Sequence, residues 1–176
     1  MTSLLFTPFP ILSTERLILR KLSDDDKNEI FLLRSDPKVN QFLDRPRPAD
    51  ISEAIEFIEK INRAIDNNES LYWAICLKEI PKLIGTICLW NFSDDRQEAE
   101  IGYELNRDYQ GKGIMHEAID CVIRFAFDKI SLKRINAYTQ QENTKSISLL
   151  EKCNFLPESD KIDEDHLLNR IYSLKK

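Results

Sequence analysis

Histidine, cysteine and glycine are all scarce in this sequence, and each scarcity excludes something. The two histidines, His116 and His166, stand far apart and offer no zinc-ligand spacing, so no metal is expected. Cys76, Cys88, Cys121 and Cys153 are scattered through apolar stretches without a C-x-x-C pair, as reduced core residues of an intracellular protein would be. No stretch reaches the roughly 18 unbroken apolar residues of a membrane span. The opening MTSLLFTPFPIL is apolar but has neither a basic leader nor an A-x-A-like cleavage site, so a cytoplasmic protein without a membrane partner is expected. Basic residues do not outnumber acidic ones: 25 against 30 gives a formal charge of −5, which argues against general nucleic-acid or membrane-surface binding. An acidic surface suits a cationic or amine-bearing partner instead. Repeats, low-complexity segments and linkers are also missing, and 176 residues fit a single domain over 1–176.

What the chain does contain is a succession of short periodic segments. TERLILRKL (14–22) alternates Leu17 and Leu19 with Arg16, Ile18 and Arg20 and reads as a first strand. SDDDKNEIFLLRSD follows, with Ser23 and Asp24 suited to capping a helix whose first turn is acidic. Pro37, Pro46 and Pro48 mark an irregular stretch. A helix is expected over DISEAIEFIEKINRAID, where Ile51, Ala54, Ile55, Ile58, Ile61 and Ile65 recur at helical spacing. SLYWAICLK, KLIGTICLWNF and EAEIGYELN are three β-rich runs joined by short polar turns, an antiparallel meander in which Trp73 and Trp90 are expected in the core. A helix over 114–129 would bury Met115, Ala118, Ile119, Val122 and Ala126. RINAYTQ, NTKSISLLEKC and HLLNRIYSL add a strand, a helix and a last strand, which together make a mixed α/β sheet.

Half of the four glycines fall in one loop. Gly111 and Gly113 lie where a strand-like run gives way to a helix, in YELNRDYQGKGIMHEAID (103–120). Backbone N–H groups converge at such a junction, and the helix dipole adds about half a positive charge, so an anion can bind there. Glycine permits positive φ and a close approach of backbone to a phosphate, and Lys112 adds a mobile cation. A tight turn with no ligand is the other reading. The Walker pattern is absent, and the dinucleotide pattern G-x-G-x-x-G fails at His116.

Gln110-x-x-Gly113-x-Met115 resembles the Q/R-x-x-G-x-G/A loop by which GNAT-superfamily acetyltransferases hold the pyrophosphate of acetyl-CoA. AEIGYELNRDYQGKGIMHEAI, with TERLILRKL before it and ENTKSISLLEKCNF (142–155) after it, is similar to the RimJ/RimL branch across nearly the whole chain. The resemblance implies a GNAT-like, mostly antiparallel sheet flanked by helices, with acetyl-CoA as co-substrate. It implies that main-chain amides of Gln110, Gly111, Lys112, Gly113, Ile114 and Met115 hold the diphosphate, and that the backbone near Tyr103 and Leu105 binds the pantetheine arm. Met115 stands at the usual Gly/Ala place and would act through its N–H. His116 reads as a solvated first-turn residue.

In AEIGYELN, Glu100, Gly102 and Glu104 share one face while Ala99, Ile101, Tyr103 and Leu105 share the core face. Glu100, or else Glu104, is the candidate base for deprotonating an amine, unless both are plain solvent-facing carboxylates. Asn143 is placed to cap the next helix with Ser146 at its third position. In the resembled branch such a pair faces CoA, the asparagine at the pantetheine amides and the serine near the sulfur. The tyrosine that many of these enzymes place later in this helix is Leu150 here, so Ser146 or a bound water is the candidate acid. Asn154 replaces glycine at a helix end that needs a left-handed residue. No cysteine–histidine or serine–histidine constellation is present, which agrees with direct transfer in a ternary complex.

The implied activity is acetylation of a primary amine, either a protein N-terminus such as that of a ribosomal protein or a small amine, by a monomer or homodimer. A non-catalytic acyl-CoA-binding module that has lost its acid is the alternative.

Overall fold

The computed structural model describes residues 6–176, so the first five residues of the apolar opening lie outside them. Its centre is one eight-stranded sheet in the order β1-β2-β3-β4-β5-β6-β8-β7. A hairpin of β1 (Leu12–Ser13) and β2 (Leu17–Lys21) leads to the meander β3 (Leu71–Leu77), β4 (Ile80–Trp90) and β5 (Glu98–Leu105). Beyond it lie β6 (Arg134–Gln140), β8 (Asn169–Lys175) and the short β7 (Leu156–Pro157). Every neighbouring pair is antiparallel except β5 with β6. The expected mixed, mostly antiparallel sheet is what forms.

Strand parity sorts the side chains into two layers. Odd-numbered residues of the meander, such as Trp73, Ile75, Ile87, Ala99 and Ile101, pack with α3 (Ile114–Asp128) and α4 (Thr144–Lys152). Even-numbered Ala74 and Cys76 pack with α1 (Lys27–Ser35) and α2 (Ile51–Asp66) on the opposite face. The stripe Met115, Ala118, Ile119, Val122 and Ala126 is buried, and α2 turns Ala54, Ile58 and Ile65 inward. All four cysteines are free, and Cys76 and Cys153 are buried. No helix among the described residues is long and apolar enough to cross a membrane.

Local differences from the sequence reading have local causes. The first strand is interrupted at its start, where the Thr14 N–H closes a turn onto the Leu17 carbonyl, so β1 and β2 form a tight hairpin. Asp24–Asp26 form a 3-10 turn before α1, because the Asp26 carboxylate folds back onto the Ser23 N–H and Arg20. The last strand starts at Asn169 rather than at His166. Trp73 is in the core, its Nε1 donating to the Pro10 carbonyl at 2.7 Å, but Trp90 is 50% exposed. Trp90 is even-numbered, at the far end of β4, beyond the cover of α1 and α2.

Candidate active site

The glycine loop has the geometry that its composition implies. Gly111 and Gly113 both have φ of 73°, a conformation that disfavours any residue with a Cβ. Gly113 is the N-cap of α3, so the loop feeds the positive end of a 15-residue helix. The N–H groups of Gly111, Lys112, Gly113, Ile114, Met115 and His116 take no acceptor among the described residues. Six donors with no internal partner, running from an exposed loop into the first turn of a helix, are the arrangement that an anion can use. Gln110 is a correction to the expected set: its N–H is taken by the Arg107 carbonyl at 3.1 Å, closing the 3-10 turn Arg107–Tyr109. Its side chain instead donates to the Leu105 carbonyl at 2.9 Å, tying the loop to the end of β5. Lys112 leans back, with Nζ on the Asp108 carbonyl at 2.7 Å.

A brace that the sequence reading missed holds this loop from behind. Arg16 donates to the Lys112 carbonyl at 3.0 Å and through Nε to Glu117 Oε2 at 2.6 Å. Glu117, in the first turn of α3, also accepts from the Arg16 N–H and the Thr14 hydroxyl. It is partly desolvated, yet these donors hold its carboxyl below the usual carboxylate value. Arg16 thus takes up the Lys112 carbonyl while the neighbouring N–H groups keep no acceptor among the described residues. The signal available in the sequence is TERL itself, whose alternation and family likeness carry no sign of this contact.

The strand before the loop is paired on one edge only. β5 keeps register with β4 from Trp90↔Glu100 to Gly85↔Leu105, but meets β6 only over Glu98–Glu100 against Arg134–Asn136. The Asn106 N–H bonds the Ile84 carbonyl, so even-numbered backbone groups of β5 point to β4 and odd-numbered ones point to β6. Past Glu100 no strand among the described residues pairs with this edge. The N–H and C=O of Tyr103 and the N–H of Leu105 therefore face a wedge-shaped gap between β5 and β6, while the Leu105 carbonyl is occupied by Gln110.

The two glutamates on β5 have different surroundings. Glu104 is buried, ion-paired with Arg45, and within 3.4 Å of the Thr86 hydroxyl, which itself accepts from Tyr72. Arg45 is fixed in turn by Asn40 Oδ1 at 2.7 Å. That carboxylate is committed to holding the 36–50 segment, which corrects its candidacy as a base. Glu100 lies where the strands part, half-buried, and accepts only from Asn91 Nδ2 at 2.6 Å among the described residues. Burial pushes its carboxyl above the usual value, the Asn91 bond opposes that, and Asp163 adds to it.

On the other side of the gap, Asn143 caps α4 by accepting the Ser146 N–H at 3.2 Å. The Ser146 hydroxyl lies 2.9 Å from the Tyr103 hydroxyl, so strand and helix are joined across the sheet face. Burial pushes the Tyr103 phenol up to about 12. Leu150 is fully buried in the core, and Asn154 has φ of 64°, the left-handed turn expected of it. The sequence places the Tyr103 side chain on the core face and its backbone at the arm, but carries no sign of the hydroxyl's bond to Ser146.

Comparison with known proteins converges on one family. The acetyltransferase (GNAT) domain matches residues 16–156. The chain is 37% identical over 148 residues to the uncharacterized N-acetyltransferase p20 of Bacillus licheniformis, across 84% of this chain and 83% of that protein. The microcin C7 self-immunity acetyltransferase MccE, solved with acetyl-CoA and AMP, aligns with a TM-score of 0.80 at 26% identity, covering 93% of this chain and 94% of that one. RimL, a ribosomal L7/L12 alpha-N-protein acetyltransferase solved with coenzyme A, shares the fold with a TM-score of 0.82 at 16% identity, over 94% and 98% of the two chains.

Proposed function

This chain belongs to the acetyltransferase (GNAT) family, and from that premise we propose that it is a RimJ/RimL-like N-acetyltransferase that moves an acetyl group from acetyl-CoA to a primary amine by direct attack. The observation that carries the proposal is the adjacency of two features. Six N–H donors without an acceptor at the start of α3 adjoin the unpaired edge of β5. A diphosphate fits the first, and an amide-bearing arm fits the second.

When bound, acetyl-CoA supplies an activated thioester, so transfer to an amine runs downhill and needs no covalent intermediate on the protein. The N–H groups of Gly111 to His116 hold the diphosphate, with Lys112 adding charge. The backbone of Tyr103 and the Leu105 N–H bind and align the arm in the gap, and an N–H on this edge is the donor for the oxyanion. Asn143, which caps α4 through the Ser146 N–H, would hold the pantetheine amides. Glu100 takes the proton from the amine, directly or through one water; its raised pKa makes it a stronger base than an exposed glutamate. Ser146 gives a proton to the departing thiolate, and Tyr103, protonated at neutral pH, resupplies Ser146 through their hydrogen bond.

The acceptor enters from the even-numbered face of β5, between the 36–50 and 158–168 segments, which approach each other at His166 and Asp44, 4.0 Å apart. Trp90 beside Glu100, with Asp163 nearby, suits a cationic amine. A protein N-terminus, as RimL's title names for that enzyme, and a small amine are both compatible with that opening.

The test is calorimetry with CoA, followed by thiol release from acetyl-CoA with a panel of peptides and small amines. Binding and turnover support the proposal. Binding without turnover on any amine identifies a non-catalytic acyl-CoA module, and absence of binding overturns both.

A further inference from the structure

We propose that His116, Asp120 and Cys153 form a binding site for a zinc-type divalent cation that ties the first turn of α3 to the end of α4. One ligand atom from each residue lies within 4.8 Å of the others. His116 Nδ1 and Asp120 Oδ2 are 3.4 Å apart, at i and i+4 on one helix face. Cys153 is the C-cap of α4 and comes from a separate element, so the cluster is a product of tertiary packing. Tetrahedral zinc, with ligand bonds of about 2.0–2.3 Å, holds its donor atoms roughly 3.3–3.8 Å from one another. The histidine–aspartate pair already meets that separation. The rest closes by side-chain rotation, since the His116 and Asp120 side chains are 42% and 46% exposed and free to turn.

The donor set selects the ion. Imidazole nitrogen with thiolate sulfur excludes magnesium and calcium, which demand oxygen ligands, and suits zinc or its surrogate cobalt. Coordination displaces the Cys153 thiol proton to solvent, so two anionic ligands and one neutral one balance a divalent charge. Three protein ligands leave a fourth position on the solvent side for water. The cluster adjoins the proposed cofactor loop through His116, but its three ligand side chains take no part in the acyl-transfer steps, so metal binding is read independently of turnover.

The experiment titrates reduced, metal-free protein with Co²⁺ and then Zn²⁺. We expect one Co²⁺ per chain, visible bands of tetrahedral cobalt with a sulfur-to-cobalt charge-transfer band, and displacement by Zn²⁺ with a rise in melting temperature. Cys153→Ser removes the charge-transfer band. His116→Ala and Asp120→Asn, at partly exposed positions, weaken Zn²⁺ binding by about tenfold or more while leaving far-UV circular dichroism unchanged. Should Cys153→Ser fail to fold, those two variants carry the test. The proposal is overturned if wild type shows no stoichiometric sulfur-to-cobalt band, if the band persists in Cys153→Ser, or if Zn²⁺ affinity is unchanged in His116→Ala.

Discussion

Glu100 and Glu104 are the same residue type on the same strand face, two repeats apart, and their neighbours decide what each does. Glu104 meets Arg45, whereas Glu100 meets a neutral amide and a raised pKa. Glu100→Gln should lower kcat by about 10²-fold or more. In wild type, kcat/KM should fall as pH drops through the raised Glu100 pKa, because the base must be unprotonated to act. That limb should begin above the ordinary value of 4.5 and vanish in the variant. Ser146→Ala and Tyr103→Phe should each slow thiol release with little change in CoA affinity, and the double variant should be no worse than Ser146→Ala if they act as one relay. Both glutamates were visible in the sequence as candidates. What separates them was not, since Arg45 lies 59 residues from Glu104 in a segment without periodicity.

At the scale of the element, the loop and α3 act together. Gly113→Ala should weaken CoA binding roughly tenfold, because an L-residue at φ of 73° costs about 1–2 kcal/mol. Met115→Ala should bind CoA nearly as well as wild type, since only its N–H is used. Loss of the brace in Arg16→Ala should fall between the two. The helices and their inward stripes were readable because period 3.6 is local information, and the glycine pair was readable because glycine is so rare here. The brace was not readable, since a threonine and an arginine at a hairpin carry no sign of which helix they will meet. The same holds for the two-residue strands β1 and β7, which are too short to show any period.

For the molecule as a whole, two helical layers on one sheet leave a few polar groups buried within it, and these set its sensitivities. Arg45→Ala should destabilise the fold by about 3–5 kcal/mol in denaturant melts, because Glu104 would remain buried and unpaired. The Tyr103 phenol titrates near 12 when folded against an ordinary 10.0. The folded state therefore holds the proton longer, and its stability is full below pH 10 and is lost as pH rises toward 12. Tyr103→Phe should flatten that alkaline loss. The strand count of the meander and the sheet's composition were legible in the sequence; the position of Trp90 was not, since the reach of α1 and α2 over the sheet is a tertiary fact.

The parting of β5 from β6 leaves a rhythm in deuterium uptake. In the ligand-free protein, amides of Gly102 and Glu104, locked onto β4, should exchange slowly, and those of Tyr103 and Leu105 quickly, so labelling alternates residue by residue. A ligand seated along that edge erases the alternation, and the change in spacing of the fast amides locates it without any turnover.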